Sequence, residues 1–166
     1  DGTVLHAVDP DAVEKIAETL KVECVEAVAV CYLHAYANDA NERATKAVLE
    51  RVLPEVRIST SSEVLPEYRE YERFATTALN AYVAPRVGSY LSSLRARLAE
   101  HGYPNPIAIM TSNGGTAPVE RVIAYPVTSM LSGPAAGVIG AVYAASAAGH
   151  DDIITFDMGG TSTDVC

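Results

Sequence analysis

Two hydrophobic periods alternate along this chain, and their alternation leaves few architectures open. Asp9-Pro10 reads as a helix start, aspartate as N-cap and proline at the first helical position, after which Val13, Ile16, Ala17 and Leu20 recur at helical spacing. Val25 to Leu33 (VEAVAVCYL) is instead a β-rich, nearly continuous apolar run, the pattern of a central parallel strand covered on both faces. From Asp39 to Leu53 the stripe Ala40, Ala44, Ala47, Val48 and Val52 returns to the helical period, and Val56 to Thr60 alternates as a short strand. Glu67 to His101 forms one long helical pattern. Tyr68, Tyr71, Ala75, Ala78, Leu79 and Tyr82 lie on one stripe, and Tyr90, Leu91, Leu94 and Leu98 continue it. Pro85 predicts a kink or a fresh helix start inside that pattern. Ile107 to Thr111 reads as another buried strand, Pro134 to Ala148 as a helix capped by Ser132 and stopped by Gly149. Ile153 to Asp157 is a final strand leading into glycines. Helices alternating with strands imply parallel crossovers and a layered α/β fold.

The bulk numbers fit such a fold and remove several functions. The sequence has 166 residues, 49% of them hydrophobic and 20% charged, the balance of a folded chain with a real core. A formal net charge of −9, with no basic cluster to offset it, disfavours nucleic acid and anionic membranes as partners. No apolar run approaches the roughly 18 residues of a membrane span. The N-terminus lacks a basic-then-apolar signal, so a cytoplasmic location is expected. Cys24, Cys31 and Cys166 are too few and wrongly spaced for a zinc cluster or a disulfide framework, and read as free thiols. His6, His101 and His150 have no ligand spacing, and His34, ending an apolar strand with Tyr36, reads as structural. The chain opens on Asp1 and stops at Cys166 just after a strand, so it reads as a segment of a longer protein. A terminal strand without a hairpin partner predicts self-association through its open edge.

The chemistry concentrates where that last strand ends, in Asp157-Met158-Gly159-Gly160-Thr161-Ser162-Thr163-Asp164. Adjacent glycines carry no Cβ, so backbone N–H groups can approach phosphate oxygens, while Thr161 and Thr163 add hydroxyl donors. Asp157 and Asp164 would repel bare phosphate, but Mg²⁺ between carboxylate, water and phosphate removes the conflict. An ordinary hairpin turn is the other reading of the same residues. In the preceding helix Gly133, Gly137, Ala141 and Ala145 form one bare row and Gly140, Ala144 and Ala148 a second, which allows another helix to cross closely. Asn113-Gly114-Gly115 follows a strand and reads either as a substrate-cleft loop or as a plain turn. Glu63, Glu67, Glu70 and Glu72 with Arg69 and Arg73 read as a solvated helical face.

A small-residue helix, then a strand, then Asp-x-Gly-Gly-Thr resembles the actin, sugar-kinase and heat-shock ATPase superfamily. Within it the match narrows to the ATP-binding A subunit of the hydantoinase/oxoprolinase family, which includes ATP-dependent ketone carboxylases. The motifs that carry this are Ser62 to Arg73 (SEVLPEYREYER), Thr76 to Tyr82 (TTALNAY), Ser112 to Gly115, Ser132 to Gly137 (SGPAAG), and Asp157 to Val165, in that order. The resemblance implies two ribonuclease-H-like lobes holding ATP and Mg²⁺ between them. Residues 1–150 would be the rear of the first lobe, and 151–166 the first strand and phosphate turn of the second. It implies Asp157 as the catalytic carboxylate holding Mg²⁺, directly or through water. Gly159, Gly160, Thr161, Ser162, Thr163 and Asp164 would bind the nucleotide, with Gly133, Pro134 and Gly137 on a hinge helix. The activity implied is ATP-dependent opening of a small cyclic amide such as a hydantoin or 5-oxoproline, completed by a B-type subunit or domain. ATP-dependent carboxylation of a ketone, or a chaperone-like regulatory ATPase, are the alternatives.

Overall fold

The computed structural model describes residues 2–166. They form two compact units, one ending at Tyr90 and the other spanning Leu91–Cys166.

In the first unit α1 (Pro10–Val22) begins as expected, with the Asp9 carboxylate accepting the Asp11 amide at 3.0 Å. β1 (Ala27–Val30) pairs in parallel with β2 (Arg57–Thr60), Ala27 opposite Arg57 and Val30 opposite Thr60, and α2 (Ala40–Val52) is the crossover between them. These elements bury Val13, Ala17, Val30, Leu49 and Leu53 as one apolar core. The apolar run around β1 is nonetheless not a strand covered on both faces. It holds four strand residues, pairs only with β2 among the described residues, and leaves Ala29 exposed. The ladder stops because the Tyr32 amide donates to the Glu42 carboxylate at 2.9 Å, which turns the backbone away from the strand direction. On α2 the buried positions are Glu42, Thr45 and Leu49, while Ala44 and Ala47 of the expected stripe face solvent.

A short helix, α3 (Ser61–Val64), follows β2 directly, and α4 (Glu70–Glu100) then runs 31 residues. It stays helical through Pro85, so there is no fresh start there; Ala81, Ala84 and Leu91 are buried on either side of the proline and hold the helix in place. The helical period was legible, but the face was not. The buried stripe is Arg73, Thr77, Asn80, Ala81 and Ala84, whereas Tyr71 and Tyr82 are 83% and 82% exposed.

In the second unit β3 (Ala108–Met110) pairs antiparallel with β4 (Thr116–Pro118), and α5 (Val119–Ala124) buries Val119 and Val122. A 3-10 turn over Pro126–Ser129 leads to α6 (Ser132–Ala147). Its N-cap position is Leu131, at φ 61, and Ser132 is already helical, so the expected serine cap is absent. Gly149 ends the helix as predicted, at φ 81, with the His150 amide reaching back to the Ala145 carbonyl at 3.0 Å. β5 (Phe156–Met158) then pairs antiparallel with β6 (Thr163–Val165). The mostly parallel sheet expected from the alternation is therefore not what the described residues form. They form three two-stranded ladders, of which one is parallel, because the turns at Asn113-Gly114 and Gly159-Gly160 fold each strand straight back and leave no segment for a crossover. The final strand also has its hairpin partner, with Thr155 and Cys166 exchanging backbone bonds at 2.8 and 3.2 Å. The edge on which self-association was expected is thus paired within the chain, while each strand of this two-stranded ladder keeps an unpaired outer edge among the described residues. No helix among the described residues is long and apolar enough to cross a membrane.

Candidate functional site

The Asp157 to Asp164 segment is a β-hairpin whose tip is Gly160-Thr161. The Gly159 amide closes it by donating to the Ser162 carbonyl at 3.0 Å, so that N–H is spent internally. At the tip, the Gly160 and Thr161 amides have no hydrogen-bond partner among the described residues. Neither glycine has a positive φ, and a Cβ at Gly160 would meet nothing within 4 Å. What the glycines provide is open access to backbone donors, not an unusual backbone conformation.

Asp157 and Asp164 sit directly opposite each other in the β5–β6 ladder, on the same face of the hairpin. Two like charges so placed repel, and a cation between them offsets that repulsion. Among the described residues no three or more His, Cys, Asp and Glu side chains converge on a metal position. A pair of carboxylates still fits Mg²⁺, which is commonly held by one or two carboxylates with water and phosphate completing its shell. The face carrying both aspartates opens on a groove of about 540 Å³, lined from α6 by Gly137, Ala141 and Ala145 and from the hairpin by Phe156. A Cβ at Gly137 would lie 3.7 Å from the Asp157 carboxylate, so the bare row of α6 sits beside the hairpin. No residue of α6 is buried, and a Cβ at Gly133 would meet nothing within 4 Å, with Pro134 next to it on the groove wall.

Asn113-Gly114-Gly115 is organised as a turn. The Asn113 side-chain oxygen accepts from the Gly115 amide at 3.0 Å and from the Thr111 hydroxyl at 2.6 Å, and the Gly114 amide donates to the Thr111 carbonyl at 3.0 Å. Gly114 has φ 81, and a Cβ there would press on Ile139 at 3.0 Å. These bonds shape the turn that joins β3 to β4 antiparallel, while the Ser112 amide and hydroxyl both donate to the Thr128 carbonyl, at 2.8 and 3.0 Å.

Sequence reasoning missed the most tightly organised polar group in the chain. Glu42, Ser61 and Arg73 are each 0% exposed. The Glu42 carboxylate accepts from the Tyr32 and Ser62 amides at 2.9 and 2.7 Å and from the Ser61 hydroxyl at 2.5 Å. Arg73 donates to the Ser61 hydroxyl at 3.1 Å and to the carbonyls of Glu67 and Tyr32 at 2.6 and 3.1 Å. The supposed solvated face thus includes a fully buried arginine. Its signal was available in the spacing: Arg73, Thr77 and Asn80 continue into Ala81 and Ala84 as one helical stripe. Burial, reinforced by the Glu42 charge, pushes the nearby Cys31 thiol up, against the opposing effects of a Thr77 hydrogen bond and the Arg73 charge. The three cysteines are free thiols, as expected.

With this geometry in place, comparison with known proteins decides the family. The description Hydantoinase/oxoprolinase matches residues 73–166, and Hydantoinase/oxoprolinase N-terminal region matches residues 1–53. The chain belongs to the hydantoinase/oxoprolinase family. Its relatives in that family include caprolactamase subunit alpha of Pseudomonas jessenii, 34% identical over 99% of this chain and 24% of that protein. They also include 5-oxoprolinase of Saccharomyces cerevisiae, 33% identical over 98% of this chain and 12% of that protein. The crystal structure of the ATP-dependent caprolactamase superposes with a TM-score of 0.89 over 99% of this chain, 24% of its own length, at 34% identity. Nucleotide-free acetone carboxylase superposes with a TM-score of 0.82 over 94% of this chain, 22% of its own length, at 29% identity. The family member described here therefore spans about a quarter of the caprolactamase subunit and an eighth of the yeast enzyme. Its α/β fold is that of these enzymes over the matched region.

Proposed function

We propose that this chain is part of a two-lobed, ATP-dependent enzyme that opens a small cyclic amide, and that the β5–β6 hairpin grips the phosphates. The observation that carries this is the hairpin itself: two unpartnered amides at a tip where Gly160 carries no side chain, with two carboxylates opposed on its groove face. The supporting relatives act on such rings by name, 5-oxoprolinase and caprolactamase. In this reading residues 1–150 belong to the rear of a ribonuclease-H-like first lobe, and 151–166 begin the second, with Gly133, Pro134 and Gly137 on the hinge helix. A companion B-type subunit or domain completes the cytoplasmic enzyme.

An amide carbonyl is a poor electrophile, and phosphorylation of its oxygen turns that oxygen into a leaving group. The carbonyl oxygen attacks the γ-phosphorus, the bond to the bridging oxygen breaks, and ADP departs with the electron pair. The chain's own contribution is positioning and charge stabilisation. The Gly160 and Thr161 amides donate to phosphate oxygens, with the Ser162 and Thr163 hydroxyls beside them. Asp157 and Asp164 hold Mg²⁺, directly or through water, and the metal supplies neutralisation of phosphate charge. The likeness to acetone carboxylase favours a second reading, in which the same grip on ATP activates a ketone for carboxylation.

Two variants of the full-length enzyme test the hairpin. Gly160→Val places a branched side chain in space that is empty here, so the fold should survive while the approach of phosphate is blocked. Asp157→Asn keeps the shape and removes a charge. Each should lower ATP turnover by about a hundredfold or more, the usual effect of losing one preorganised contact in such a site. If both variants turn over ATP like the parent, the segment is only a turn and the nucleotide reading fails. Product analysis then separates the ring-opened amide from a carboxylated ketone.

A further inference from the structure

β1 and β2 form a ladder of two strands, so each has a free edge among the described residues. The two strands are composed differently. β2 reads Arg-Ile-Ser-Thr with Arg57 exposed, and a charged side chain on an edge strand discourages further pairing. β1 reads Ala-Val-Ala-Val and runs on into Cys31, without charge or proline and with an unbroken register. That is the composition of an interior strand placed at an edge.

The register fixes which backbone groups face outward. The Arg57 amide donates to the Glu26 carbonyl at 3.1 Å, and Ala27 stands opposite Arg57. In a parallel ladder this phase turns the amides of Val28 and Val30 towards β2, and the N–H and C=O groups of Ala27 and Ala29 towards the other edge. Those four outward groups have no partner among the described residues. Val28 and Val30 belong to the apolar core, so Ala27 and Ala29 present their methyls to the opposite face. There they line a groove of about 440 Å³ with Ala78, Ala81, Tyr82 and Pro85 of α4. Tyr82 is 82% exposed beside it. A row of backbone donors and acceptors thus borders a groove walled by methyl groups and one phenol ring.

We propose that this edge and groove receive a third β-strand, supplied by the same polypeptide from outside residues 1–166. The backbone of an extended segment satisfies the Ala27 and Ala29 groups, and its alternate side chains, small or apolar, enter the groove beside Tyr82. A folded sheet layer ordinarily needs three or more strands over an apolar face, and this one has two. A strand from the same polypeptide meets the edge at high effective concentration. A dissociating partner would instead leave an unguarded apolar edge open to any other chain. The superposed caprolactamase has the length for such a strand, since 99% of this chain covers only 24% of it. The inference rests on the chain's being part of a longer protein, and needs neither the nucleotide nor the cyclic-amide reading.

The test is amide hydrogen exchange at single-residue resolution on the full-length protein, without nucleotide. Ala27 and Ala29 should be protected to the same degree as Val28 and Val30, whose amides bond to β2. Alternation, with Ala27 and Ala29 exchanging about a hundredfold faster than Val28, would leave the edge open and overturn the proposal. Protection of Ala27 and Ala29 that disappears on dilution while Val28 stays protected would assign the edge to a separate chain, and would overturn the source. Ala29→Pro deletes one outward donor and no bond to β2, so an open edge tolerates it. In the full-length protein it should speed exchange at Ala27 at least about tenfold, whereas Ala29→Ser, which keeps the N–H, should not. Unchanged protection at Ala27 in the proline variant would likewise overturn the added strand. None of these readouts involves ATP turnover or ring opening, so the two readings fail separately.

Discussion

The first half of α4 and the whole of α6 present opposite relations between composition and burial. α4 buries Arg73, Thr77 and Asn80, and turns Tyr71 and Tyr82 outward. α6 is built almost wholly of glycine, alanine and aliphatic residues, yet none of its residues is buried and Tyr143 is 80% exposed. Hydrophobicity sets the gain available on burial, but the surrounding elements decide which face receives it. Where α2, α3, β2 and the loop after β1 bring a carboxylate, serine hydroxyls and carbonyls towards α4, a polar stripe can be enclosed with its hydrogen bonds complete. No buried polar side-chain atom among the described residues lacks a partner. Around α6 lie the small hairpin with its groove and the turn at Gly114, which approaches Ile139, and these enclose none of its residues fully. The difference separates an enclosed polar stripe from an apolar helix left uncovered among the described residues.

The strongest way to break this comparison is to remove the buried arginine. Arg73→Met leaves the carbonyls of Tyr32 and Glu67 without their donor and Glu42 without the nearby positive charge. Breaking a buried charged network from one side typically costs about 3–5 kcal/mol, a large part of the stability of a domain of this size. Urea denaturation should show a correspondingly earlier midpoint. Arg73→Lys should rescue little, because one ammonium cannot reproduce a planar fork serving three partners. A midpoint within error of the parent for Arg73→Met would mean that the polar stripe is incidental and that the first unit is held by its apolar core alone.

The second unit gives a smaller and purely steric counterpart at Gly114. Its φ of 81 and the 3.0 Å approach of Ile139 to a Cβ position both oppose a side chain. Gly114→Ala should therefore cost about 1–2 kcal/mol, the usual penalty of a left-handed conformation for an L-residue. Pairing it with Ile139→Ala, which removes both the Cγ1 and the Cδ1 that approach the Cβ position, sharpens the result. If contact with Ile139 matters beyond the backbone conformation, the double variant recovers part of the loss.

These effects also mark what the sequence could disclose. Local chemistry was readable wherever one residue type has one dominant reason to be present. Asp9 before Pro10 started α1, Gly149 stopped α6, and Gly159-Gly160 between strand-like runs formed a turn. The family motifs were readable for a similar reason, since several short segments had to agree in order. What stayed hidden depended on distant partners. The burial of Arg73 needs Glu42 from α2 and Ser61 from α3, and neither announces itself within the α4 pattern. The length of β1 was overestimated because Glu42, twelve residues beyond Val30, takes the amide that would have extended the ladder. The contacts of His34 and Tyr36 were hidden similarly, because Tyr68 and Glu70 meet them only after the chain has passed through α2, β2 and α3.

The smallest effect comes from an arginine that also makes paired hydrogen bonds but lies at the surface. Arg51 on α2 donates to both oxygens of Glu14 on α1, at 2.9 and 3.4 Å. That hydrogen bond, then the Arg51 charge, holds the Glu14 carboxyl below its ordinary value. A carboxylate whose pKa falls on folding stabilises the protein above its unfolded pKa, and the contribution is lost as pH drops through the folded one. The Arg51 and Glu14 side chains are 61% and 45% exposed, so water and salt screen the pair. Glu14→Gln should leave the neutral-pH denaturation midpoint within error in physiological salt. A slight deficit should emerge at low ionic strength and vanish again as the solution is acidified below the carboxylate range. Measuring the midpoint on a grid of pH and salt checks all three statements together. A loss at neutral pH and high salt comparable to that of Arg73→Met would show that hydrogen-bond geometry, not enclosure, sets the strength of these networks, and the contrast between buried stripe and exposed surface would lose its physical cause.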